Sequence, residues 1–64
     1  MEDREFFAIL YVFEGEEITE EYEDFDDARR DFIYFTEEKG VDYAELQKVK
    51  IDNGYEDIDI IESY

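Results

Sequence analysis

The sequence predicts an α+β fold: a four-stranded antiparallel sheet, β-β-α-β-β in chain order and 2-1-3-4 in space, with one helix packed on one face. Three observations predict it. Residues 5–13 are apolar at both strand parities, residues 25–39 carry an apolar stripe at helical spacing, and Asn53-Gly54 separates two alternating runs.

The first strand, 5–13, reads Glu-Phe-Phe-Ala-Ile-Leu-Tyr-Val-Phe. Only a strand with contacts on both faces is apolar at both parities, so it belongs in the middle of the sheet. Glu14-Gly15 offers a tight turn into a second strand, 17–23, where Ile18 and Tyr22 share one face. A two-residue turn sets Tyr11 opposite Ile18 and Phe7 opposite Tyr22. The other face of this strand is Glu17, Thr19, Glu21 and Glu23, a charged edge that resists pairing with another sheet.

The helix is expected over 25–39. Asp24 stands at the N-cap position, with Asp27 three residues on in the manner of a capping box. Asp26 and Asp27 lie where the helix dipole favours negative charge, and Arg30 is expected to pair with Asp26 one turn earlier. Phe25, Ala28, Phe32, Phe35 and the stem of Lys39 form the apolar stripe, and Gly40 supplies the left-handed stop.

Strands over 43–52 and 55–62 complete the fold as a hairpin around Asn53-Gly54, the signature of a type I′ turn. Closing that turn sets Asp52 against Tyr55, Ile51 against Glu56, Lys50 against Asp57, Val49 against Ile58 and Lys48 against Asp59. Lysines thus meet aspartates on one face, and Val49, Ile51, Ile58 and Ile60 lie on the other. A β-β-α unit with a separate C-terminal hairpin is the alternative arrangement.

One helix covers one face. Phe7, Ile9, Tyr11, Phe13, Ile18 and Tyr22 form the richer face and are placed under it. Phe6, Ala8, Leu10 and Val12 then face outward beside Glu17, Thr19, Glu21 and Glu23. Leu46, Ile61 and the lysine–aspartate pairs are assigned to the same open side. From this strip Phe6, Leu10 and Val12 are candidate contact residues for a partner, joined by Ile33 and Tyr34, which lie off the helix stripe.

Charge bounds the function. The 64 residues form a single domain with 22 carboxylates against 6 basic side chains, a formal charge of −16. Such a chain repels nucleic acid and anionic membranes, so neither is an expected direct partner. The acids are densest from strand 2 into the helix start: Glu14, Glu16, Glu17, Glu20, Glu21, Glu23, Asp24, Asp26, Asp27 and Asp31, opposed there only by Arg29 and Arg30. These are the candidate partner-binding carboxylates. A protein whose Lys and Arg side chains are arranged for a phosphate backbone would be attracted to such a row.

The chain has no Cys and no His, which removes thiol nucleophiles, disulfides, the commonest metal ligands and the usual neutral-pH base. No EF-hand spacing and no phosphate loop are present, and Ser63 is the sole serine. The expectation is a protein without enzymatic activity, cofactor or metal. Lack of bridges and an acidic start, with no signal-like or membrane-spanning run, lead to the expectation of a cytoplasmic protein.

In size, charge and aromatic content the chain resembles small acidic inhibitors made by bacteriophages, including those that block uracil-DNA glycosylase, restriction enzymes or CRISPR nucleases. Several of those are regarded as DNA mimics. The resemblance lies in overall character; no motif corresponds residue by residue. It implies an anti-defence inhibitor that occupies the basic surface of a nucleic-acid-handling protein in the host cytoplasm. The alternative expectation is a structural or adaptor protein, homodimeric through the exposed sheet face, with charge serving solubility.

Overall fold

The structure, a computed structural model, describes residues 3–64. Strand β1 (Arg4–Phe13) turns into β2 (Glu16–Tyr22); helix α1 (Phe25–Ile33) continues as a π-helical segment (Tyr34–Lys39); β3 (Tyr43–Asp52) and β4 (Tyr55–Ser63) follow. All pairings are antiparallel, and the sheet order is β2-β1-β3-β4 with the helix on one face. The doubly apolar strand lies inside the sheet, as its pattern requires.

Both hairpins close on two residues with positive φ, the geometry whose twist matches paired strands. Asn53 and Gly54 have φ of 53° and 85°; Glu14 and Gly15 have 54° and 83°. The expected registers follow, with Tyr11 opposite Ile18, Phe7 opposite Tyr22, and Val49 opposite Ile58. Asn tolerates the left-handed region readily, whereas Glu14 enters it at a steric cost.

The main core lies between sheet and helix. Ile9 and Leu46 oppose each other across β1 and β3, fully buried, and are joined by Tyr11, Ala28, Phe32, Val41 and Ala44. Aromatic contacts tie the layers together. Phe35 stacks on Tyr11 with ring centroids 4.4 Å apart, and Phe25 meets Phe7 edge-on at 5.3 Å.

Helix geometry departs from expectation at both ends. Asp24 occupies the extended N-cap position but makes no side-chain cap bond; its carbonyl accepts the Ala28 N–H at 3.1 Å. Asp27 is too short to reach back as a capping-box Glu would. It pairs with Arg30 at 3.2 Å, in place of the expected Asp26. At the other end the α-helix widens after Ile33 into the π-helical segment. The stripe survives this widening, because Phe35 still reaches Tyr11 and the Lys39 ammonium sits 4.3 Å from the Phe13 ring centre. Gly40, at φ 72° and ψ 47°, ends the segment as expected.

The C-terminal hairpin faces the opposite way from expectation. Ile9 opposes Leu46 and Phe6 opposes Val49, and directly opposed residues share a face. Leu46, Lys48 and Lys50 therefore lie on the helix side, while Val49, Ile51, Ile58 and Ile60 lie on the open side. Pairing within the hairpin could not reveal this. The choice rests on how β3 joins β1, which the 40–42 connection sets: the Asp42 N–H donates to the Val12 carbonyl at 2.8 Å. The lysines are tolerated on the helix side because they lie toward the far end of β3 from the buried Ala44 and Leu46, where Lys48 is half-buried and Lys50 exposed. A bulge opposite Leu46 and Gln47 leaves Ile61 without an opposing residue.

Two substitutions test this packing by chemical denaturation. Leu46→Ala should cost about 2–5 kcal/mol, as for other fully buried leucines. A cost below about 1 kcal/mol would contradict the central place given to the Ile9–Leu46 contact. Glu14→Asn should raise stability by up to about 1 kcal/mol, by relieving the left-handed glutamate and one repulsive charge; a net loss would show that the turn does not rest on positive φ.

Candidate protein-contact surface

Strand parity divides the surface. The open face carries Arg4, Phe6, Ala8, Leu10 and Val12 from β1, and Glu17, Thr19 and Glu21 from β2. Tyr43, Glu45, Gln47, Val49 and Ile51 from β3 join them, with Glu56, Ile58 and Ile60 from β4. Phe6, Ala8 and Val49 form a second buried cluster there, with Ile51 packed against it. The Arg4 guanidinium sits 4.5 Å from the Phe6 ring centre and closes one end. Next to the cluster runs a groove lined by Leu10, Thr19, Glu21, Gln47, Glu56 and Ile58, with Phe6, Ala8 and Val49 at its floor.

Charge is unevenly compensated across the two sides. Of the 6 basic residues, Arg29, Arg30 and Lys39 lie on the helical segments, and Lys48 and Lys50 point to the helix side. Arg4 alone faces the open side, against Glu17, Glu21, Glu45 and Glu56. The apolar strip is thus bordered by carboxylates with one cation among them.

Glu45 is the most constrained of these carboxylates. The Tyr43 hydroxyl and the Gln47 amide both donate to it, the latter at 2.8 Å. The Tyr43 bond first, and then the Gln47 bond, hold the Glu45 carboxyl below its ordinary range; the same contact raises Tyr43. Three successive same-face residues of β3 thereby fix one negative charge beside Leu10. The 43–47 alternation carried this signal, but only the pairing with β1 reveals which face it occupies.

The acid-rich stretch from Glu14 to Asp31 does not form one row. Glu17 and Glu21 point to the open face, whereas Glu16 and Glu20 point to the helix side. Glu14 lies in the turn, and Glu23, Asp24, Asp26 and Asp27 ring the helix start, all exposed. Asp31 is engaged internally, accepting the Tyr22 hydroxyl at 2.7 Å. Burial first, and then this bond to Asp31, push the Tyr22 phenol well above its ordinary range; burial and Glu20 likewise raise Tyr11.

The apolar candidates separate too. Phe6 is 5 % exposed and acts as floor, not rim. Leu10 and Val12 are half-buried on the strip. Ile33 and Tyr34 are exposed at the junction of α1 and the π-helical segment, away from the open face. Sequence reading missed the hairpin's contribution, in which Ile58 and Ile60 are 49 % and 58 % exposed on the open side.

No described helix is long and apolar enough to cross a membrane, and among the described residues no group of three or more His, Cys, Asp or Glu is placed to hold a metal ion. No protein-family model, curated protein or solved structure matches the chain.

The Tyr22–Asp31 bond joins β2 to the helix and gives a pH signature. A phenol whose folded pKa is raised contributes stability that is complete below its unfolded value, about 10, and is lost as pH rises through the folded value. Tyr22→Phe should cost about 1 kcal/mol at neutral pH and should flatten the loss of stability above about pH 10. Urea titrations at neutral and alkaline pH measure both effects. An unchanged alkaline slope would remove Tyr22 as their source.

Proposed function

We propose that this protein is a small inhibitor or regulator that binds the basic, nucleic-acid-handling surface of another protein, and that it works by contact without chemistry of its own. One observation carries the reading: an apolar strip that no other described element covers, bordered by Glu17, Glu21, Glu45 and Glu56 with Arg4 as the one basic side chain among the described residues there. A partner matching this face presents an apolar centre within a field of Lys and Arg. Carboxylates along β2 and around the helix start extend the negative potential, which speeds encounter with such a surface and suppresses acidic partners. In this reading the protein occupies a site shaped for a phosphate backbone, in the manner of a DNA mimic from a phage anti-defence system, and acts in the cytoplasm. Nucleic acid and membranes are not its direct ligands.

Exposed Ile58 and Ile60 on the same face favour a second reading, a homodimeric adaptor with charge serving solubility. Sedimentation separates the two: a dimer insensitive to salt supports the adaptor.

Affinity capture from host extract at about 50 mM and about 500 mM salt, followed by titration of the purified partner, tests the main reading. The expected partner is basic, binds at the lower salt and is released at the higher. Glu17→Gln/Glu21→Gln should weaken it about five- to tenfold, mostly through the association rate. Binding that ignores both salt and these two carboxylates would overturn the proposal.

A further inference from the structure

The two edges of the sheet differ in what they offer. On β2 the open-side residues are Glu17, Thr19 and Glu21, which provide charge but no apolar anchor. On β4 the chain alternates Asp57, Ile58, Asp59, Ile60, with aspartates toward the helix side and isoleucines toward the open face.

The inner edge of β4 shows what this alternation accepts. Lys50, Val49 and Lys48 of β3 stand opposite Asp57, Ile58 and Asp59. That pairing does not satisfy the acids, since the Lys48 ammonium reaches Glu5 at 3.4 Å. Among the described residues neither Asp57 nor Asp59 has a cation within ion-pair distance. The outer edge of β4 carries the same alternation with no described strand beside it. Its backbone neighbour is β3 alone, and an edge strand leaves half of its N–H and C=O groups facing outward.

We propose that the outer edge of β4 accepts an extended segment of a basic partner protein as a fifth strand, in which Lys or Arg alternates with an aliphatic residue. The cations face Asp57 and Asp59, and the aliphatic side chains cover Ile58 and Ile60 and extend the apolar strip. Main-chain hydrogen bonds supply the attachment, and the alternation supplies the selectivity. A second copy of the chain is a poor occupant. Pairing β4 with another β4 crowds Glu56, Asp57, Asp59 and Glu62 together, and pairing it with β2 brings in Glu16, Glu17, Glu20 and Glu21. This inference rests on the reading above, that the protein binds a basic surface, and adds the conformation and residue pattern of the bound segment.

The test uses the full isotope-labelled chain at about 50 mM salt. It is titrated with a peptide alternating lysine with valine or isoleucine, and with a peptide of the same composition in which lysines and aliphatics form separate blocks. The expected result is saturable binding of the alternating peptide, about tenfold tighter than the blocked one, with amide shifts concentrated on β4. Asp57→Asn/Asp59→Asn should weaken it about fivefold, and the unchanged remainder of the spectrum verifies that the variant is folded. Equal affinity for the two peptides, or shifts centred on β2 and the helix start, would overturn strand addition and leave the basic-surface reading standing. Absence of binding by either peptide would likewise overturn strand addition, and the salt-dependent capture described above decides the basic-surface reading separately.

Discussion

Ile9 and Leu46 meet at the middle of the sheet with no solvent exposure, and most other features are arranged around that contact. It fixes the register of β1 against β3, and register decides which parity of the C-terminal hairpin lies under the helix. A slip of one residue would turn Leu46 outward and bring Val49 and its neighbours beneath the helix. Phe6, Ala8, Val49 and Ile51 would then lose the second cluster they form. Two small cores on opposite faces thus depend on one pairing.

A chain with formal charge −16 must stay compact against its own repulsion, and its few cations are placed with economy. Arg29 bridges the helix to Glu62 on β4, Lys39 covers Phe13, and Arg4 covers Phe6. In the last two cases the cation lies over an aromatic face, so it also shields apolar surface from water. Tyr22 and Tyr43 donate to Asp31 and Glu45, and neutral hydroxyls thereby assist anions that have no ion pair among the described residues. Phe and Tyr side chains supply much of the core volume, and Tyr22 and Tyr43 act as hydrogen-bond donors in a chain short of cations.

Local chemistry made much of the fold legible. The Asn53-Gly54 dipeptide, the doubly apolar run in β1 and the Phe25–Phe35 stripe each carry their own mechanism, so strand order, hairpin registers and helix placement could be read from the chain. Two things were not local. The face of the C-terminal hairpin depends on a pairing between strands separated by the whole helix, and the alternation in β3 is equally consistent with either side. The widening of the helix after Ile33 likewise leaves no sequence mark, because Phe35 and Lys39 fit the stripe in either geometry. For the candidate surface, Leu10, Val12, Glu17 and Glu21 could be placed together because the first turn has two residues. Glu45, Val49, Ile58 and Ile60 could not, because they follow the hairpin.

Both outer strands carry carboxylates along much of their length, and this affects how the protein behaves at high concentration. Sheets with open edges can grow by adding identical strands, the geometry of a fibre. Here each edge confronts a copy of itself with like charge, so stacking is opposed at both ends while the edges remain bare. This protection comes from charge and not from shape, since the chain has no proline and no described loop covers either edge. It therefore weakens as added salt shortens the reach of the repulsion, and the barrier to polymerisation falls with it.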